Sequence, residues 1–253
     1  MPESILAKLE KGVVLQDGGY LLALESRGYV QAGPFTPEVT IEHPNALLAL
    51  HQEFLHAGAK VLQVLTFYAT ENKLEQIGYG GRLKEINQAA VRIAREAAGS
   101  DSLVAGNICL TWKYEDGNAG AEDEYRRLFD DQLSYQTEVG VDFIIGETFL
   151  HVGEALLALE CIKKTGLPSM ITLSFEAPQT RDGKSPCEAA KILEDEGGGH
   201  CRREVLAGPD LHAACGRGDV RRHRRICCSP TRGISLYARG SLLHGTEGLP
   251  GQA

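Results

Sequence analysis

Over its first 197 residues the chain alternates short apolar runs with amphipathic stretches, and few folds accept that rhythm. The candidate strands are Val13–Leu15, Val61–Phe67, Leu103–Ile108, Val141–Ile145 and Ser169–Phe175. Each is rich in Val, Ile, Leu or Phe with little polar alternation, as expected for parallel strands covered on both faces. Between them, Leu47, Leu50, Phe54 and Leu55 share one face of a helix, with Pro44 near its start and Gly58 at its end. Tyr125, Leu128, Phe129 and Leu133 line another; Ala155, Leu156, Leu159 and Ile162 line a third, which stops at Gly166. Ser185-Pro186-Cys187-Glu188 reads as a capping box opening a helix through Leu193. The result is an α/β chain of about five βα units.

Such a chain forms either an open doubly wound sheet or a (β/α)8 barrel. The barrel is preferred because polar residues stand at the C-terminal end of nearly every strand: Asp17, Thr66 with Tyr68, Asn107, Glu147, and Ser174 with Glu176. Barrel enzymes build their sites on that rim. No G-x-G-x-x-G or P-loop pattern follows the first strand. The opening residues to Lys11 read as a short amphipathic helix and not a secretory signal, so a cytoplasmic setting is expected. A net charge of −8 argues against nucleic acid as a partner, and no apolar run is long enough to span a membrane.

The rhythm stops near Gly198. Residues 1–197 carry 17 basic and 30 acidic side chains, whereas residues 198–253 carry nine Arg, no Lys and four acids. Residues 1–197 are therefore read as a partial barrel domain and 198–253 as an arginine-rich tail without native structure. Five units cannot close a barrel of eight, and no sixth strand is expected.

Gln16-Asp17-Gly18-Gly19 offers a carboxylate and close-approaching backbone N–H groups, which suit an amino acid; a tight βα turn with a capping Asp fits equally. Glu147 ends an apolar strand, where an unpartnered carboxylate is costly, unless it caps the next helix. Thr66-Phe67-Tyr68 offers aromatic faces either to an onium cation or to packing beneath a loop. Cys109, Cys161 and Cys187 lack metal-ligand spacing and read as buried small hydrophobes. Cys227-Cys228 has no C-x2-C partner and is not read as a zinc site. No catalytic residue and no metal ligand is assigned.

Taken in order, several of these segments resemble betaine–homocysteine methyltransferases of the homocysteine S-methyltransferase family. They are Asp17-Gly18-Gly19, Leu24 to Val30, Gly33 to Glu38, His43-Pro44, His51 to Leu55, Thr66 to Ala69, Asn72 to Glu75, and Glu147 with Phe149 and His151-Val152. The likeness covers about residues 5–197. It implies a zinc-dependent barrel enzyme that moves a methyl group from betaine or a related onium donor to homocysteine, giving methionine, and that can be oligomeric. Asp17 and Glu147 would hold the homocysteine amino end, with Gly18 and Gly19 nearby; Phe35, Tyr68 and Thr148 would line the donor pocket. Phe35 and Thr148 stand where betaine-using vertebrate enzymes carry Trp and Tyr, which puts betaine as donor in doubt. The family's zinc thiolates come from a Cys ending the sixth strand and a later Cys pair, and neither is found. The chain is therefore expected to be an inactive relative of an enzyme; the other reading is a non-catalytic remnant that at most binds an amino acid weakly.

Codon degeneracy offers a reason for the break. Read one base later, codons for Gly199–Leu206 can spell Asp-Ile-Val-Gly-Val-Lys-Cys, which resembles the missing sixth strand with its cysteine. The same shift over Arg224 to Ser235 permits a second family-like run. A frame change near Gly198 is expected.

Overall fold

A computed structural model describes residues 3–31, 37–175 and 177–197, together with the backbone of 205–207. Phe35 and Glu176 lie outside the described residues. Five parallel strands, β1 (Val61–Gln63), β2 (Leu103–Cys109), β3 (Phe143–Phe149), β4 (Ser169–Leu173) and β5 (Val205–Ala207), are hydrogen-bonded in the order of the chain. A doubly wound sheet reverses its strand order at a switch point. This sheet does not, and the progression is that of the barrel family.

Two of the expectations change. The first expected strand is reduced to an isolated bridge, Gln16 to Val61, with Lys60 N–H donating to Leu15 O at 2.8 Å. Val13 and Leu15 remain 42% and 40% exposed, since no described strand pairs beyond them. The second change lies in the segment expected to be irregular: β5 pairs with β4 through Ile171–Val205 to Leu173–Ala207. The edge of β4 is therefore covered over three residues, where no sixth strand was expected.

The five helices expected from the sequence, up to Lys11, after Pro44, around Tyr125–Leu133, around Ala155–Ile162 and after Ser185, all form, and four more that the sequence reading did not single out join them. They include α1 (Ile5–Lys11), α2 (Tyr20–Ser26), α3 (Val39–Glu42), α4 (Pro44–His56), α5 (Glu71–Gln76), α6 (Leu83–Ala98), α7 (Glu122–Val139), α8 (Val152–Lys164) and α9 (Pro186–Asp195). Pro44 opens α4, and Ser185 with Glu188 forms the expected capping box of α9. Strand parity divides the core. Leu62, Val104, Ile144 and Ile171 face outward onto Ala90, Phe129, Ala158 and other residues of α6, α7 and α8. Val61, Leu103, Ala105, Phe143, Ile145 and Met170 face inward, and Ile5 of α1 packs against them. Burial of each large aliphatic side chain contributes roughly 1.5–3 kcal/mol. The two faces hold the strands, and α1 covers the inner one. Among the described residues no helix is long and apolar enough to cross a membrane.

Candidate functional site

The same parity that buries Val61, Ala105 and Ile145 brings Gln63, Asn107 and Glu147 to the inner face one step further along each strand. These three, with Gln16, form one hydrogen-bonded row. Gln16 Nε2 donates to Gln63 Oε1 at 2.7 Å, and Gln63 Nε2 and Asn107 Nδ2 each donate to Glu147 Oε1 at 2.7 Å. Glu147 Oε2 has no protein hydrogen bond among the described residues. Burial is the main cause that pushes the Glu147 carboxyl up to about 7; the two amide bonds oppose it and the nearby Asp17 adds to it.

A bulge aims this carboxylate. Gly146 pairs with Ile171 and Phe149 with Leu173, so β3 spends one more residue than β4 across Glu147 and Thr148. Thr148 takes a left-handed φ of 66°, and its N–H donates to Thr172 Oγ1 at 3.0 Å. Tyr68 (φ 61°) and Trp112 (φ 60°) adopt the same uncommon conformation. One such residue therefore follows or ends each of β1, β2 and β3, and such strain concentrates at functional sites.

Helix α7 supports the rim from behind. Because β1 ends at Gln63, the backbone of Asn107 has no ladder partner on that side. Gln136 fills the place: its Oε1 accepts from Asn107 N–H and its Nε2 donates to Asn107 O, both at 2.8 Å. Thr66 Oγ1 also donates to Asn107 O at 2.8 Å. Gly106 is required beside this clamp, since a Cβ there would lie 2.6 Å from Ile144 Cδ1 and 2.8 Å from Gln136 Oε1.

Asp17 is 4% exposed and joins the row through the backbone, its two oxygens each accepting from Gln63 N–H at 3.0 Å. The Tyr20 hydroxyl donates to Asp17 Oδ2 and lies 2.6 Å from His51 Nδ1. Burial raises the Asp17 carboxyl above its usual range, opposed by His51, Tyr20 and Gln63. Gly19, at φ 72°, leads into α2, and Gly18 beside it is half-buried. Tyr68 is half-buried; its N–H donates to Cys109 Sγ at 3.2 Å, and burial raises its phenol, with Cys109 and Glu147 close enough to add to the effect.

The family model described as Homocysteine S-methyltransferase matches residues 14–209, twelve residues beyond the expected edge of the likeness. The chain belongs to the homocysteine S-methyltransferase family. Betaine–homocysteine S-methyltransferase 1 of Xenopus tropicalis is 43% identical over 201 residues, covering 77% of this chain and 49% of that protein. Its counterpart in Rattus norvegicus is 44% identical over 199 residues, covering 76% and 48%. The chain spans about half the length of these curated relatives. The metallated form of the homocysteine methyltransferase MmuM from Escherichia coli shares the fold, with a TM-score of 0.65 at 20% identity over 75% of this chain and 73% of that one.

Within this family frame, the structure brings Asp17, Glu147, Thr148 and Tyr68 to one rim, while Phe35 falls outside the described residues. Gln63, Trp112 and the Tyr20–His51 pair were not singled out from sequence. Gln63 had a signal: it is the one amide within Val61–Phe67, on the parity of Val61. A metal site does not fit the described residues. No group of three or more His, Cys, Asp or Glu among them could hold an ion. Cys109 and Cys161 are buried, and burial drives the Cys109 thiol well above its usual range and the Cys161 thiol to about 12. Cys187 is half-buried, against the expectation of a core position.

Proposed function

We propose that this rim binds homocysteine by its amino end and that the chain derives from an enzyme transferring a methyl group from betaine or a related onium donor to homocysteine. The observation that carries the reading is Glu147. Glu147 is held on one oxygen by two amides and has no ion pair among the described residues, so it ionises at neutral pH most favourably with a cation beside it. The α-ammonium of an amino acid supplies one, on Oε2. Asp17 adds the second negative charge and fixes Gln63, while Gly18 and Gly19 lie at the turn beside it. The resemblance assigns Phe35, Tyr68 and Thr148 to the donor.

Methyl transfer also needs a thiolate, because a free thiol near pKa 8.5 is only a few per cent ionised at neutral pH. The family's zinc would supply that activation. The described thiols do not suit zinc, and the break in sequence pattern near Gly198 supports the reading that this chain binds and orients its substrate without turning it over. Cytoplasmic placement and small-molecule partners follow from the same reading. Calorimetry of the full chain with homocysteine tests it. Glu147→Ala should weaken binding by roughly tenfold or more, since a charge-assisted contact is worth about 1.5–3 kcal/mol, and Asp17→Ala should weaken it by releasing Gln63 and removing a nearby negative charge. Unchanged affinity in both variants would remove them from the site.

A further inference from the structure

Asp17 is buried beside two side chains to which the resemblance gives no role. Tyr20 opens α2 three residues later, and His51 lies on α4. The Tyr20 hydroxyl donates to Asp17 Oδ2 and sits 2.6 Å from His51 Nδ1. A hydroxyl carries one proton, and this one goes to Asp17, so the bond to His51 runs the other way, from an Nδ1–H to the phenol oxygen. Burial and the Asp17 charge drive the phenol well above its usual range, which keeps that proton on Tyr20. The phenol ring stands edge-on to both His51 and Phe54, which fixes it between α2 and α4. His51 Nε2 is buried and has no hydrogen-bond partner among the described residues. A charged imidazole would strand an N–H donor there, whereas a neutral ring protonated on Nδ1 leaves only an unfilled acceptor, the milder defect. The three groups therefore form one directed chain, from His51 through Tyr20 to Asp17, with each proton pointing toward the carboxylate.

We propose that Tyr20 and His51 are positioning residues of the amino-acid site: as uncharged donors in series they hold Asp17 as a carboxylate turned to Gln63 and leave its negative charge uncompensated for a ligand ammonium. The inference rests on the rim being that site. Among the described residues Asp17 pairs with no Lys or Arg, and His51, 3.7 Å away, is the basic side chain within reach. A Lys or Arg in that place would also favour the carboxylate, but it would cancel the charge that draws an ammonium to the rim. Neutral donors achieve the first effect without the second, and bonds in series polarise one another, so the outer Nδ1–H strengthens the inner O–H bond. The groups facing Asp17 are Tyr20 from α2, His51 from α4, the backbone amide of Gln63 from β1 and the Glu147 carboxyl from β3. A chain running in reverse would tie α2 to α4 equally well. It holds one proton more, on Asp17, with the imidazole proton moved to Nε2, and it leaves the site without that charge. The direction of the chain is therefore what separates a role in binding from one in packing.

Direction is read by NMR of the full chain without ligand, using 15N-labelled histidine and aspartate labelled with 13C at the side-chain carboxyl. The imidazole assigned to His51 by its loss in His51→Asn should be neutral at pH 7.5 and carry its proton on Nδ1. Asp17, assigned by its loss in Asp17→Asn, should have an ionisation constant roughly tenfold or more weaker in Tyr20→Phe than in the parent, the range for a hydrogen bond to a charged group. His51→Asn supplies a neutral amide donor in place of Nδ1–H and should keep the constant close to the parent's, whereas His51→Leu should weaken it. Circular dichroism checks folding, and His51→Leu carries the comparison if Tyr20→Phe does not fold. A charged His51, a proton on its Nε2, or an Asp17 constant unchanged in Tyr20→Phe and His51→Leu overturns the proposal. Homocysteine is titrated separately at pH 6 and pH 8. Relative to the parent, Tyr20→Phe should lose more affinity at pH 6, because removing a donor to the carboxylate favours its protonated form; Glu147 is common to both chains and divides out. An equal loss at both pH values means that Tyr20 acts on shape alone, and overturns the proposal. A parent that binds no homocysteine while Asp17 and His51 behave as described removes the amino-end reading and leaves the charge-holding role of Tyr20 and His51 in place.

Discussion

Glu147→Gln should make this protein more stable at pH 8, and the structure gives the size of the gain. The glutamine is isosteric, and its Oε1 can accept from Gln63 and Asn107 as the carboxylate does. Its amide nitrogen replaces Oε2, which has no protein donor among the described residues. What changes is the charge. Below pH 4.5 the carboxyl is protonated in both folded and unfolded chains, and the two variants should be equally stable. Between 4.5 and about 7 the unfolded chain releases the proton while the folded one keeps it, so stability falls as pH rises. Above 7 the loss levels off at about 3 kcal/mol, an upper bound set by the displacement from 4.5 to about 7. Urea unfolding of both variants at pH 5, 6, 7 and 8 reads this as a difference, which cancels the contribution of Asp17 and other groups. The midpoint of Glu147→Gln should lead by roughly 1 M at pH 8 and by little at pH 5. A variant that is less stable at pH 8, or a difference independent of pH, would refute the account of Glu147 as a carboxylate kept at a cost to the fold.

Gly106→Ala should destabilise the chain by about 1–3 kcal/mol in the same assay, because the new methyl group meets Ile144 and the Gln136 clamp; an unchanged midpoint would show that the clamp yields. Homocysteine affinity should rise from pH 6 to pH 8 as Glu147 ionises, and a flat profile in calorimetry would separate the ammonium from that carboxylate. Genomic DNA read in the alternative frame from Gly198 should continue the family sequence and supply a later Cys-Cys pair; stop codons there would sink the frame change. The purified chain should carry substoichiometric zinc and form no methionine with betaine, whereas one equivalent of metal with measurable turnover would show ligands that lie outside the described residues.

The fold was legible because buried parallel strands and their covering helices leave an unambiguous apolar record: β2 and α9 appear almost where the pattern placed them. Strand ends were less so. Val61–Phe67 reads as seven strand residues, but the ladder stops at Gln63, because the chain turns there to bring Tyr68 to the rim. Val13–Leu15 has strand composition but pairs on only one side, which reduces it to a bridge. Glu147 was visible as a charge ending an apolar run. Trp112 was not, because Thr111-Trp112-Lys113-Tyr114 has neither period, and its nearness to Tyr68 and Lys73 spans about forty residues of sequence.

The network also distinguishes the two carboxylates that resemblance treats alike. Asp17 has both oxygens occupied by Gln63 N–H and one also by Tyr20, with His51 3.7 Å away. A ligand ammonium reaching Asp17 directly would have to displace Tyr20 from a site that is almost fully covered. Glu147 keeps one oxygen open and is half-buried at the end of a bulged strand. On the proposed reading, direct contact with the amino group falls to Glu147. Asp17 acts through Gln63, whose backbone it holds and whose side-chain amide it thereby aims at Glu147, and through the negative charge it adds nearby. On that reading the two carboxylates serve binding by different routes, and Tyr20 with His51 sets the geometry of the one that does not reach the ligand.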